Sequence, residues 1–338
     1  MVRKMTKDTR LVTIAGLLLC VFAIHPTSVA GVPQSPHAPV GIVPIVPGKV
    51  YQWDAAKNGP VTVYRVADLT LRFKATGGGD SVGNNAVVTI ARDNGPKTTY
   101  AFSGGFDHPI TQFFTGHLDP ANSTLQVVLG SYSGGAHCCL PKDVFVIWRS
   151  KWRHHQINAG INSGELRYPK DIDGDGTPDF ALFDDGFAYE FGSFACSWLP
   201  PQIFYLKGDK IIDATASGKY EKLLEADLKQ AKKACADKIC QPANGICAGV
   251  AADSARLRKF ETNWRWLLRN YSRVDTWEFP AGCSIDTPDG VECPADKVVK
   301  FTSYPESLAS FLHRYGYITR AQEVWATDES RMPEYEKQ

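Results

Sequence analysis

The chain reads as mainly β with a C-terminal helical region, and three observations predict this. Between residue 50 and about residue 216, short β-branched and aromatic runs alternate with Gly, Asn, Asp and Pro clusters. After Gly218 apolar residues recur at helical spacing, in stretches free of Gly and Pro. Within the β region lies Asp171-Ile172-Asp173-Gly174-Asp175-Gly176-Thr177-Pro178-Asp179, an acidic loop that leads into a strand.

The N-terminus has the pattern of an export signal. Arg3, Lys4, Lys7 and Arg10 precede a short apolar run at 11–24, and Ser28-Val29-Ala30 matches the small-x-small cleavage pattern. Residues 1–30 are therefore expected to be a signal peptide, with the mature chain periplasmic or secreted. The run is too short and wrongly flanked for a stable span, so no membrane span is expected after signal removal. Removing it takes four basic residues and one acid from a chain of formal charge +1. What remains is nearly neutral, without the basic stripe that nucleic-acid binding needs. Residues 31–49 carry five of the chain's 21 prolines and almost no charge, and read as a Pro-rich linker or extended arm rather than a packed element.

A β-rich domain is expected over 50–217. Strand signals stand at 61–66, 69–73 and 86–90, with turns at Gly77-Gly78-Gly79-Asp80 and Asp93-Asn94-Gly95-Pro96. Further strand signals follow at 112–114, 125–129, 144–148, 180–183, 187–191 and 202–206. An internal repeat is visible. The Asp119-Pro120-Ala121-Asn122 turn and the strand after it are echoed, 54 positions on, by Asp173-Gly174-Asp175-Gly176 and its strand. Each copy then passes a Gly- and aromatic-rich stretch with Cys (Cys138-Cys139; Cys196) and enters an aromatic strand, a polar turn and one more strand. Such a period is typical of stacked or radially arranged β units.

The 171–179 loop sets Asp at positions 1, 3, 5 and 9, with Gly176 at 6 for the sharp bend. Alternating carboxylates in a tight turn can face one hard cation, and the Thr177 carbonyl can supply a further oxygen. The expected ligands for Ca2+ are thus Asp171, Asp173, Asp175, Thr177 and Asp179. Leu182 stands where an EF-hand places its bidentate Glu, which favours a structural ion over a helix-pair switch.

On these residues the second unit resembles the FG-GAP/VCBS type of repeat, whose hallmark is a D-x-D-x-D-G-x-x-D calcium loop entering a strand. It also resembles exported bacterial proteins with an S/T-G-G-A-H-C-C segment ahead of such a loop, here Ser133 to Cys139. The resemblance covers about residues 115–215 and implies FG-GAP-like, propeller-blade-like β units. In the first unit only Asp119 and Asn122 survive, so no calcium is carried over to it. Residues 51–216 have room for about three such units, short of the roughly four to eight of a propeller, which argues for a smaller, unclosed β assembly.

A disulfide-bearing helical region is expected over 218–327, with helices from Tyr220, over 253–270 and over 305–315, and a flexible tail at 328–338. Asp253 or Ser254 would cap the second helix. Trp264 fits its buried stripe, and Trp266 does not. A hairpin is expected around Pro288-Asp289-Gly290.

Cys138, Cys139, Cys196, Cys235, Cys240, Cys247, Cys283 and Cys293 are an even set in an exported chain and read as disulfides. Their pairing cannot be deduced from spacing, apart from Cys283–Cys293 around a small loop. The Ser133–Cys139 turn has two readings: His137 as base or metal ligand with a Cys138 or Cys139 thiolate, or an oxidised turn with its cysteines paired to each other or to Cys196. An exported location favours the second. His154 and His155 are strand neighbours facing opposite sides, and cannot easily share an ion. Asp184 and Asp185 either extend the calcium loop through water or form a turn before Gly186. Tyr189, Phe191, Phe194 and Trp198 form an aromatic patch; such patches are more often core than a sugar platform, and this one is the best candidate for a ligand surface. There is no Gly-x-Ser-x-Gly, His-Glu-x-x-His or P-loop. The sequence therefore leans to a non-enzymatic calcium-binding protein facing a glycan or an envelope or extracellular protein. The alternative is a secreted hydrolase with a site near His137 and Asp184 or Asp185.

Overall fold

The computed structural model describes residues 41–76, 85–104, 109–131, 141–157, 166–274, 277–287 and 292–328, all within one compact unit, Val40–Gln338. The Ser133–Cys139 turn, the Pro288-Asp289-Gly290 turn and the 1–30 signal segment lie outside the described residues.

In chain order the elements are β1 (Ile42–Pro44), β2 (Val50–Asp54), α1 (Ala55–Asn58), β3 (Val61–Val66), β4 (Leu69–Ala75), β5 (Asn85–Arg92), β6 (Lys97–Ser103), β7 (Ile110–Gly116), β8 (Gln126–Ser131), β9 (Lys142–Trp148) and β10 (Lys151–Ile157). These are followed by β11 (Asp179–Phe183), β12 (Pro201–Lys207), β13 (Lys210–Asp213), α2 (Glu221–Ala236), α3 (Asn244–Arg256), α4 (Phe260–Asn270), β14 (Gly282–Cys283), β15 (Val298–Val299), α5 (Tyr304–Arg314) and α6 (Arg320–Ala326).

The strands make three layers. A first sheet runs β1-β3-β4-β5-β6, a second β10-β9-β8-β7-β2, and a third β11-β12-β13; a two-stranded β14-β15 ribbon sits in the helical region. None of these sheets closes on itself, so there is no barrel or propeller among the described residues. Alternation sets the layering. Phe113, Val127, Leu129 and Phe145 of the second sheet pack on Tyr64, Leu71, Phe73 and Ile90 of the first. Their neighbours Phe114, Val128, Val144 and Val146 point the other way and pack with Phe180, Leu182 and Leu206 of the third sheet. The second sheet is thus covered on both faces, which is why 144–147 is a continuous apolar run rather than an alternating one.

The internal repeat has a structural counterpart. β8-β9-β10 and β11-β12-β13 are both antiparallel three-stranded meanders that follow an Asp-bearing turn. The two units are tied together: Asp119 Oδ2 accepts the Gly208 N–H of the β12–β13 turn at 2.8 Å.

Three expectations from sequence are corrected. Residues 42–45 do not behave as linker. β1 pairs in parallel with β3, Ile45 N donates to Arg65 O at 2.9 Å, and the Ile45 side chain enters the core. Pro44 is tolerated because β1 is itself an edge strand. Residues 187–191 form no strand: a 3-10 turn at Asp185–Phe187 drives Phe187 and Phe191 into the helical core, edge-to-face with Phe311. The expected helix over 253–270 is two helices, α3 and α4. Asp253 is a buried residue in the last turn of α3 rather than a cap, and Arg258 breaks the run in a left-handed conformation (φ +57°).

The helices share one core. α3 is buried almost all round, as its small residues allow. A Cβ at Gly245 would meet the Cys196 carbonyl oxygen at 2.4 Å, and one at Gly249 would meet Trp198 at 2.5 Å, so the segment after β11 lies directly on this helix. Cys235–Cys247 joins α2 to α3, Cys196–Cys240 ties that segment to the helices, and Cys283–Cys293 closes the small loop expected from sequence. Cys196 therefore does not pair with Cys138 or Cys139. Trp264 is buried, as its place on the apolar stripe requires.

Candidate functional site

The acidic loop is built by its own backbone. Lys170 and Asp179 close its base with paired hydrogen bonds of 2.7 and 3.2 Å. Inside, Asp171 accepts the N–H groups of Gly174 (2.8 Å) and Gly176 (3.0 Å), Asp173 Oδ1 that of Asp175 (3.1 Å), and Asp175 Oδ1 that of Thr177 (2.9 Å). These Asp-to-backbone turns need left-handed residues between them, supplied by Gly174 (φ +80°) and Gly176 (φ +87°).

The outcome is convergence. Asp171, Asp173 and Asp179 each offer a carboxylate oxygen within 4.8 Å of the others, the spread expected of oxygens around one Ca2+ at about 2.3–2.6 Å. Asp171 is exposed and Asp179 buried. Asp175 stands outside that group, turned to the Lys219 ammonium at 2.6 Å, and Thr177 contributes its N–H to Asp175.

The segment before α2 completes the loop. Tyr220 donates its hydroxyl to Asp179 Oδ1 at 2.8 Å, while Ile172 N–H serves Asp179 Oδ2 at 2.9 Å. Lys219 Nζ also lies 2.9 Å from Asp173 Oδ2. This buried oxygen thus faces the protein's own ammonium, which holds a place that a bound cation would take. Electrostatics run the same way. The Lys219 hydrogen bond holds the Asp175 carboxyl down at about 2. Burial pushes Asp179 up, against its two hydrogen bonds, with Asp173 and Asp175 adding repulsion. The residues present therefore fit a hard divalent ion, which would neutralise the carboxylates and fasten the turn to the third sheet.

Sequence reasoning missed Lys219 and Tyr220. They lie some forty residues beyond the loop, at the start of a helix, where no spacing rule marks them.

The other expected residues are dispersed. Asp184 is fully engaged: Oδ1 takes Gly186 N–H at 3.0 Å, Oδ2 takes Gln202 Nε2 at 3.2 Å and the Tyr317 hydroxyl, and Arg256 lies 3.9 Å away. Burial and this carboxylate push the Tyr317 hydroxyl far up. Asp185 starts the 3-10 turn, its carboxyl raised by burial and then by Asp184. His137, Cys138 and Cys139 lie outside the described residues. His154 is bound at 2.7 Å to the buried Asp143, which also takes the Tyr100 hydroxyl at 2.9 Å. In the aromatic patch Phe191 is core, Trp198 packs on α3 with Nε1 donating to Asp227 at 2.7 Å, and only Tyr189 is widely exposed.

These features define a protein of layered open β-sheets with a disulfide-tied helical region and one acidic loop at their junction. The family model of the sll0997 C-terminal domain matches residues 221–316, from the start of α2 to just past α5. Over 252 residues the chain is 27% identical to a probable thylakoid lumen protein, sll0997, of Synechocystis sp., covering 74% of this chain and 67% of that one. Over 202 residues it is 28% identical to an uncharacterized protein, y4bJ, of Sinorhizobium fredii, covering 60% of this chain and 31% of the relative. The chain thus spans about two thirds of one relative and under a third of the other. No solved structure matches. Among the described residues, no helix is long and apolar enough to cross a membrane.

Proposed function

We propose that this is an exported, calcium-binding, non-enzymatic protein of the periplasm or extracellular space, whose β layers present a surface to a glycan or protein partner. In this reading β11-β12-β13 and its loop are a repeat unit of FG-GAP/VCBS type, and β8-β9-β10 is a second unit that lost its ligands around Asp119.

The observation that carries the proposal is the convergence of Asp171, Asp173 and Asp179 within 4.8 Å. The ion is structural here. Its ligands sit in a turn at the edge of a three-layer stack, and bound metal stabilises such a fold by mass action. Three disulfides among the described residues support an oxidising compartment, and a relative described as a lumen protein supports export.

Isothermal titration of chelator-treated protein tests the reading. Calcium is expected to bind at a single class of site and to be lost in Asp173→Ala; an absence of binding heat, or binding unchanged by the substitution, contradicts it. Capture from envelope extracts, with and without chelator, tests whether a partner depends on the ion.

A further inference from the structure

Between the third sheet and the ends of α3 and α5 the structure holds a polar cleft of about 580 Å³, within the roughly 300–1,000 Å³ usual for small-molecule sites. Five separate stretches wall it: Asp184 after β11, Gln202 on β12, the end of β13 and the turn after it from Asp213 to Ser217, the end of α3 with Arg256 and Arg258, and the end of α5 with Tyr315 and Tyr317.

We propose that this cleft binds a neutral saccharide. The inference rests on the reading above and names its glycan-facing site.

Charge is the first argument. The walls carry two carboxylates, Asp184 and Asp213, and two guanidinium groups, Arg256 and Arg258. Arg256 is already committed to Asp184, to the Pro201 carbonyl and to the face of the Tyr317 ring at 4.3 Å. One cation, Arg258, and one anion, Asp213, remain for a ligand. That balance offers no net attraction to phosphate or sulfate.

The second argument is the mixture of donors and acceptors. Asp213 Oδ1 takes both the N–H (2.9 Å) and hydroxyl (2.5 Å) of Thr215, while no hydrogen bond reaches Oδ2 among the described residues. Gln202 uses its amide NH2 on Asp184 and keeps its carbonyl oxygen. Arg258 is exposed and makes no ion pair among the described residues, and Ser217 adds a hydroxyl at the rim. Sugar hydroxyls both donate and accept, and match such walls better than a pure donor or a pure acceptor does.

The third argument is shape. Tyr315, a lining residue, is half-exposed (48%) with its ring against Phe311 at 4.5 Å, and its open side suits the apolar side of a pyranose. The walls are fixed in advance by the Asp184 hydrogen bonds, by left-handed Arg258 and by the Gly316 bend (φ +72°). Pre-organisation of this kind lowers the entropic cost of binding.

The test is titration of the full chain with neutral oligosaccharides of glucose, galactose, mannose and N-acetylglucosamine, with inorganic phosphate as the anion probe. At least one oligosaccharide is expected to bind, about tenfold more weakly in Tyr315→Ala and in Arg258→Gln, with melting temperatures unchanged. Should Tyr315→Ala fail to fold, Arg258→Gln carries the test. Binding of none of the oligosaccharides, binding indifferent to the variants, or binding of phosphate alone overturns the proposal. A calcium-induced rise in melting temperature without saccharide binding sinks the cleft and leaves the metal site standing. Saccharide binding without any calcium response does the reverse.

Discussion

Lys219 places its ammonium 2.9 Å from Asp173 Oδ2 and 2.6 Å from Asp175 Oδ2, so the acidic loop already carries one positive charge of the protein's own. That charge comes from the segment just before α2 and competes with any cation for the same oxygens. A divalent ion must displace the ammonium from Asp173 or share the carboxylate with it.

Lys219→Met is therefore expected to bind calcium more tightly, on the order of two- to fivefold, the scale of an exposed ion pair. The same variant should melt earlier than wild type in chelator, because the carboxylates then repel one another unrelieved. Titration calorimetry and melting curves with and without chelator check both signs.

The second expectation concerns pH. Asp253 is wholly buried, both its oxygens lack a donor, and it stands beside Asp227. Burial, then the Asp227 charge, raise its carboxyl well above the usual range. A protonated Asp253 can donate to Asp227, which reconciles the pair with the missing donors. An acid whose folded value is raised binds a proton on folding. Its contribution is whole below the unfolded value of about 3.9 and is lost as pH climbs toward the folded value. Asp253→Asn keeps the donor and removes the titration. Denaturant unfolding from pH 4 to 7 should show wild type losing stability relative to the variant as pH rises, and a pH-independent difference contradicts this.

A third expectation probes the layers. Phe113 is fully buried between the first and second sheets, with ring centroids 4.8 Å from Tyr64 and 4.9 Å from Phe73. Phe113→Ala should cost about 3–5 kcal/mol in chemical denaturation. A cost under about 1 kcal/mol would mean that these sheets do not share a core.

How much of this could be read in the sequence follows from how local each feature is. The acidic loop was legible because its carboxylates fall within nine consecutive residues and its turns need glycines that sequence displays. Strand positions were legible through alternation, and Cys283–Cys293 through proximity. The layering was not: period two says which side chains share a face, not what covers that face. The aromatic patch with Phe191 stayed open between core and ligand surface because Tyr304 and Phe311, the ring partners of Phe191, lie more than a hundred residues away. The α3–α4 break was hidden because apolar spacing continues through Leu257 and Phe260, while the left-handed Arg258 leaves no compositional mark. The cleft joins five segments, and no single one looks like a site.

The most direct measurement of the central claim is the melting temperature of the mature protein in chelator and in saturating calcium, for wild type and Asp173→Ala. At about a hundred times the dissociation constant, binding to the folded state alone adds roughly 2.7 kcal/mol. A rise of several degrees is therefore expected for wild type and none for Asp173→Ala. Equal melting temperatures for wild type with and without calcium, or an equal rise in the variant, would contradict the account.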